Sequence, residues 1–453
     1  MVRRIVTMKR SLLAGCAVVA FAGLCGSAVA ADTAAGKFDI KIGGDAYFTA
    51  GYSGQSSTTN LIPTDRKGAG DFTNRFRLQV TPTATADNGL EYGANLRVRA
   101  WLGSGGVDAD QAYIFADGRW GRVEAGLTPG PNNQYGVTAP SGFGTGGVVG
   151  DWGEGPVTPP GTGSWLTNQN TFIAGTLGTD FNFVTSDNWS TKINYFTPRL
   201  FAQEEANTGL MGMVSYAPQN LSISTGVSRA SRVPLGLGNL NQTNDSLCGY
   251  NIASSAGSLQ GCYWKNMVEA GLRYDGSFRG ITISSSLGYE HGDAPTPPPG
   301  TASFNNLDAF QFGFQVGYAG FLVGGSYLNA GKSGYTKAAV APTALGAVRQ
   351  RTAQSTFTGG ISYETGPVIV GFNYAHGEDA GQLSLPGSRT ADLYAVGATY
   401  TVAPGFTTSL EYVRSTTHNQ AGFNVGSSDY IGGNNSTASG NANLFLWKNV
   451  ITF

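Results

Sequence analysis

The chain has 453 residues with nearly balanced charge, 28 basic against 29 acidic. Only 13% of residues are charged, against about 25% in an average soluble domain, while the 67 glycines are about twice the ordinary share. This composition excludes a charge-rich disordered chain, a coiled coil and a collagen, and the absence of a basic stripe argues against a nucleic-acid binder.

The first thirty residues stand apart. Arg3, Arg4, Lys9 and Arg10 form a basic start, residues 12–24 an apolar run, and Ala28-Val29-Ala30 a small-residue site. That is the pattern of a secretory signal peptide cut after Ala30, with residues 31–453 as the mature protein. Met8 is an alternative start. Leu13-Ala14-Gly15-Cys16 is a rival lipoprotein-type box, weakened because almost no apolar run precedes Cys16. Beyond Ala30 there remain 24 basic and 29 acidic residues, a net charge of -5.

After Ala30 no apolar stretch is long enough for a membrane helix. Residues of period two run through the chain instead. Phe38, Ile40, Ile42, Ala46, Phe48 and Tyr52 share one parity, and Lys41, Asp45, Tyr47 and Thr49 the other. Phe76, Leu78 and Val80 alternate with Arg75, Arg77 and Gln79, and Leu96, Val98 and Ala100 with Asn95, Arg97 and Arg99. The same pattern recurs at Val268–Tyr274, Phe310–Tyr318, Val368–Tyr374 and Tyr394–Tyr400. It fits a soluble sandwich or a membrane barrel. Connection lengths separate the two. Short turns at 86–89, 117–121, 319–320, 365–367 and 403–405 alternate with long polar loops at 53–70, 291–307, 329–354 and 415–442. Short turns on one side and long loops on the other are the pattern of an outer-membrane barrel, and aromatic strand ends supply its interfacial girdles. Counting every alternating segment gives an odd total. Placing residues 221–229 inside a long loop from 219 to 263 restores the alternation and gives about sixteen strands, each of roughly nine to eleven residues to span ~25 Å. The fold class is therefore all-β, a transmembrane antiparallel β-barrel. Cys248 and Cys262 fall in that loop, 14 positions apart, and read as one disulfide in an oxidising compartment. Two thiols do not fill a metal shell, so neither metal nor cofactor is expected.

Residues 112–127, AYIFADGRWGRVEAGL, then Asn194-Tyr195-Phe196-Thr197-Pro198, and Phe453 with Ile451 and Trp447 on its parity carry a likeness. Over residues 37–453 the chain resembles the Gram-negative trimeric porins, of the alphaproteobacterial general-diffusion type. The resemblance implies an outer-membrane channel for passive diffusion of ions and small hydrophilic solutes, without enzymatic activity. It implies a homotrimer in contact with outer-membrane lipid and lipopolysaccharide, and Phe453 as the signal read by the barrel-assembly machinery. It also implies that residues 128–188 form a third loop folded into the lumen as the constriction, although this stretch is longer than such a loop is expected to be.

Arg75, Arg77, Arg97 and Arg99 have lumen parity on two consecutive strands and should form one guanidinium cluster. The loop from 128 to 188 has no Lys or Arg but contains Asp151 and Glu154. Folded inside, these acids would oppose the arginines and create a transverse field. Lys41, Asp45 and Glu124 are expected to add to the pore lining. Residues 142–147, GFGTGG, match the dinucleotide fingerprint only formally, since no strand precedes them and no helix follows. The remaining classes are an adhesin or receptor using the outer loops, and a rim hydrolase, for which His376-Gly377-Glu378-Asp379 is the candidate beside His291 and His418.

Overall fold

The computed structural model describes residues 38–57, 70–101, 107–149, 190–203, 208–219, 264–294, 305–333, 353–379, 389–418 and 440–453. These residues form seventeen antiparallel strands, from β1 (Asp39–Ser57) and β2 (Gly70–Thr85) to β17 (Gly440–Thr452). Each strand pairs with its neighbour in sequence, and β1 closes the sheet by pairing with β17. One pair of elements departs from this rule. β6 (Thr191–Phe196) and β7 (Leu200–Gln203) both pair with β8 (Thr208–Gln219), so they are two halves of one stave interrupted at Thr197-Pro198. A proline lacks the N–H that a ladder needs, which explains the break. The barrel therefore has sixteen staves, with no open edge.

Period two means what the sequence suggested. Phe48, Phe76, Ile114, Phe312, Phe314 and Tyr400 are exposed on the outer face, whereas Thr49, Arg75, Asn95 and Gln311 are buried on the inner one. Such a surface is tolerated where lipid surrounds it. Toward the long-loop end the outer face carries tyrosines tied to polar partners. Tyr289 donates to Asp308 at 2.7 Å, Tyr374 to Asp392 at 2.5 Å and Tyr412 to Asn443 at 2.7 Å. An apolar ring with a hydrogen-bonded hydroxyl suits the boundary of a hydrocarbon layer.

Two expectations are corrected. Strands exceed nine to eleven residues: β1 has 19, β2 has 16 and β15 (Arg389–Ala403) has 15. Loops expected to open at residues 53, 291, 329 and 415 instead begin after Ser57, Asp293, Gly331 and His418. The ladder needs only a paired neighbour, so it continues after the lipid-facing pattern has faded. The inner face is also not uniformly polar. Met267, Leu307, Leu328, Leu393, Val413 and Leu444 point inward near the long-loop end, and all are buried.

β8 pairs directly with β9 (Lys265–Phe278), so no stave stands between them, and residues 221–229, expected inside the connecting loop, lie outside the described residues. Residues 1–30, Asp151, Glu154, Cys248 and Cys262 lie outside the described residues.

Candidate functional site

The hairpin of β4 (Val107–Gly118) and β5 (Gly121–Leu127) leads straight into the segment 128–149, which turns into the barrel. It opens with a short helix, α1 (Pro131–Tyr135), with proline in its first turn. From there the segment runs along the inner wall. The Asn132 N–H donates to Glu269 of β9. The Val137 N–H donates to Ser286 of β10 (Ile281–Asp293) at 2.8 Å, and the Gln315 side chain of β11 (Leu307–Tyr318) donates to the Thr138 carbonyl at 2.9 Å. Asn373 of β14 (Val368–Asp379) donates to the Pro140 carbonyl and accepts from the Val148 N–H, both at 2.9 Å.

The wall is recessed where the segment lies. A Cβ on Gly271 or Gly288 would meet Asn132, one on Gly313 would overlap the Val137 carbonyl, and one on Gly371 would overlap the Phe143 ring. Phe143 is fully buried. These in-strand glycines are a track for the loop, which the sequence alone gave no means of seeing.

The GFGTGG stretch has a physical role in this path. Gly144 (φ +60°) and Gly147 (φ +64°) adopt left-handed backbone conformations in which a side chain would be strained. The N–H groups of Thr145 and Gly147 converge on the Glu411 carboxylate of β16 (Phe406–His418), each at 2.9 Å, and the Thr145 hydroxyl joins them. The motif is thus a backbone nest whose anion is the protein's own carboxylate.

The arginines stand on the other arc. Arg77 and Arg99 face each other directly across β2 and β3 (Glu91–Trp101), with Arg97 opposite Gln79. Their side chains are 27%, 17% and 21% exposed for Arg77, Arg99 and Arg97, while Arg75 is 5% exposed. The Arg75 guanidinium lies 4.6 Å from the Tyr47 ring centre, and the Lys448 ammonium lies 4.4 Å from the same ring. Asp45 accepts from Arg77 at 2.6 Å and lies 3.6 Å from Arg75. Asp110 accepts from Arg97 through both Nε and an NH2 nitrogen at 2.8 Å, and lies 3.7 Å from Arg99. The described carboxylates beside the arginines therefore come from the flanking strands. Below them Gln79 and Thr81 donate to Asn95, which donates to Gln111, continuing a polar lining.

Other expected residues fall in different places. Lys41 has the lumen parity of Asp45 and is exposed. Glu124 faces inward but is covered, which corrects its place in the lining. It accepts from Arg122 at 2.9 Å, Thr128 at 2.8 Å and Gln134 at 3.0 Å, so it fastens the start of the loop. Sequence reasoning missed Asp110, Lys448 and Glu411. Lys448 and Glu411 were within reach, since each has lumen parity on its own strand.

His376 is on the outer face, with Nδ1 2.8 Å from Asp392 and its ring 5.7 Å from Phe357. His291 repeats the arrangement, 2.8 Å from Asp308. Both belong to the tyrosine belt.

The chain matches a family model described as Gram-negative porin over residues 15–420. No curated protein matches it. Among solved structures it is similar in fold to the anion-selective porin of Comamonas acidovorans, at 12% identity and a TM-score of 0.51, over 92% of this chain and 100% of that one. It is also similar to a double mutant of the Rh. blastica porin, at 14% identity and a TM-score of 0.47, over 92% and 100% of the two chains. The Vibrio cholerae outer membrane protein OmpT lacking loop L8 matches at 11% identity and a TM-score of 0.47, over 92% and 99%.

Proposed function

The chain belongs to the Gram-negative porin family and forms an outer-membrane channel, and on that premise we propose that it passes ions and small hydrophilic solutes by passive diffusion, with selectivity set at the arginine row of β2 and β3. The observation that carries this reading is the position of Arg77, Arg97 and Arg99 on the lumen face, across from a loop seated on the far arc of the wall. Clustered guanidiniums with partial solvent exposure act on passing charges in an aqueous path whose low-dielectric walls focus their field.

The segment 128–149 carries no charged side chain, and Asp151 and Glu154 are the first charges after it. We place these two acids opposite the arginines, as the negative side of a transverse field. Lys41 and Asp45 add to the lining. The reading includes a signal peptide removed after Ala30, a Cys248–Cys262 disulfide, a homotrimer among outer-membrane lipid and lipopolysaccharide, and Phe453 as the assembly signal. The mass of the secreted protein, with and without reduction, checks the first two.

Reconstitution into planar bilayers tests the function. We expect large stepwise conductance, in threes for a trimer. A correctly folded barrel that stays silent overturns the channel reading. Replacing Arg75, Arg77, Arg97 and Arg99 by Gln should move the reversal potential toward cations, and an unmoved potential removes their role.

A further inference from the structure

The ladder between β3 and β4 is regular from Glu91↔Asp117 to Arg97↔Gln111, then resumes at Val98↔Ala109. Asp110 is the residue left over, the extra member of a β-bulge. Its direction follows from this. On β4 Ala112 and Ile114 have outward parity, with Ile114 exposed, and strict alternation would send Asp110 to the same lipid-facing side. The bulge turns it inward instead, next to Gln111, where its side chain is 2% exposed and grips both forks of Arg97. A bulge forfeits ladder bonding and bends its strand, and bulges recur where a side chain must be re-aimed at a working site.

Asp45 occupies the mirror position. It lies directly across from Arg77 in the β1–β2 register, with no bulge needed. Along the wall the charges therefore run Asp45, then Arg75 and Arg77, then Arg97 and Arg99, then Asp110. Each carboxylate is shared by two guanidiniums. This fixes side chains that would otherwise repel one another, and it lowers the positive potential at the edges of the row.

We propose that Asp110, delivered to the lumen by the bulge, is a selectivity-determining residue of the channel, acting with Asp45 to hold and partly offset the arginine row. The ion preference is then written along one wall, independently of the acids on the loop. This rests on the channel reading above.

The test is the reversal potential of reconstituted protein in a potassium chloride gradient. In D110N and in D45N the chloride-to-potassium permeability ratio should rise by about twofold or more, and further in the double variant, because each change leaves an arginine pair less compensated. D110E should keep the wild-type ratio. Where D110N does not assemble, R97Q is compared with R97Q/D110N. R97Q alone should favour cations, and removing both charges should return the ratio toward wild type. Conducting channels with an unshifted potential in D110N and D45N, or equal shifts in R97Q and R97Q/D110N, overturn this assignment and leave the channel reading standing. Absence of conductance in the unmodified protein overturns the channel reading itself.

Discussion

Glu411 shows how much can hang on one side chain. Its carboxylate satisfies two backbone N–H groups and a hydroxyl at the 144–147 turn of the inward segment, where left-handed glycines aim them. Glu411→Gln keeps the shape but turns an amide N–H toward donors, at a cost of ~1–3 kcal/mol for the unsatisfied groups. Single-channel records of this variant should show more rapid current fluctuation than wild type at equal voltage. Equally quiet traces would mean that this turn is held by other contacts. The lumen parity of Glu411 was legible in the sequence, but its partner was not, because Thr145 is 266 positions away. The four arginines were legible for the opposite reason. Adjacent strands fix their neighbours by register alone, so local alternation sufficed.

At the level of elements, period two identified the strands, and connection lengths gave their order around the barrel. Strand ends were misjudged by several residues, since backbone pairing outlasts the side-chain pattern. Asp110 was missed because a bulge inverts the parity of β4 from that position back to Val107, and no residue type in the stretch announces it. The glycine track was invisible for a related reason. Each glycine looks like a weak strand residue until the loop that fills its space is present. Gly313 makes the point testable. Gly313→Val places a branched side chain where the Val137 carbonyl sits, so the loop must move away from β11 and into the lumen. Conductance should fall by a third or more, on the order expected when a narrow aqueous path loses one side-chain width. The same substitution at Gly359, on the outer parity of Phe357 and Ile361 and where a Cβ meets nothing within 4 Å, should leave lumen conductance unchanged. Unaltered conductance in the Gly313 variant would mean that the loop does not rest on β11.

For the whole molecule, the barrel is apolar outside and mixed inside. Phe314 sits mid-strand on the outer face of β11, exposed among Phe312 and Val316. Phe314→Arg should destabilise the folded barrel by ~2–4 kcal/mol in a bilayer, the usual cost of a cation facing the midplane. Denaturant titration in lipid vesicles reads this. A loss much below ~1 kcal/mol would place Phe314 outside the hydrocarbon layer. Inside, charged residues stand on both arcs: the arginine row of β2 and β3 with Asp45, Asp110 and Lys448 on one, and Glu269, Arg273 and Asp275 of β9, Glu290 of β10 and Glu411 of β16 on the other, while the long-loop half of β8–β17 also presents buried apolar side chains.

The sequence by itself determined the class of fold, the two faces of each strand and the arginine row, because these depend on contacts between near neighbours of a regular ladder. Tertiary structure decided which carboxylates meet the arginines, why glycines interrupt the inner wall and what the GFGTGG turn binds. Those outcomes join residues far apart in sequence, or turn on one extra residue in a strand. Closing the barrel brings such groups within hydrogen-bond reach, and only then does a glycine become a groove and a misplaced aspartate become part of the channel wall.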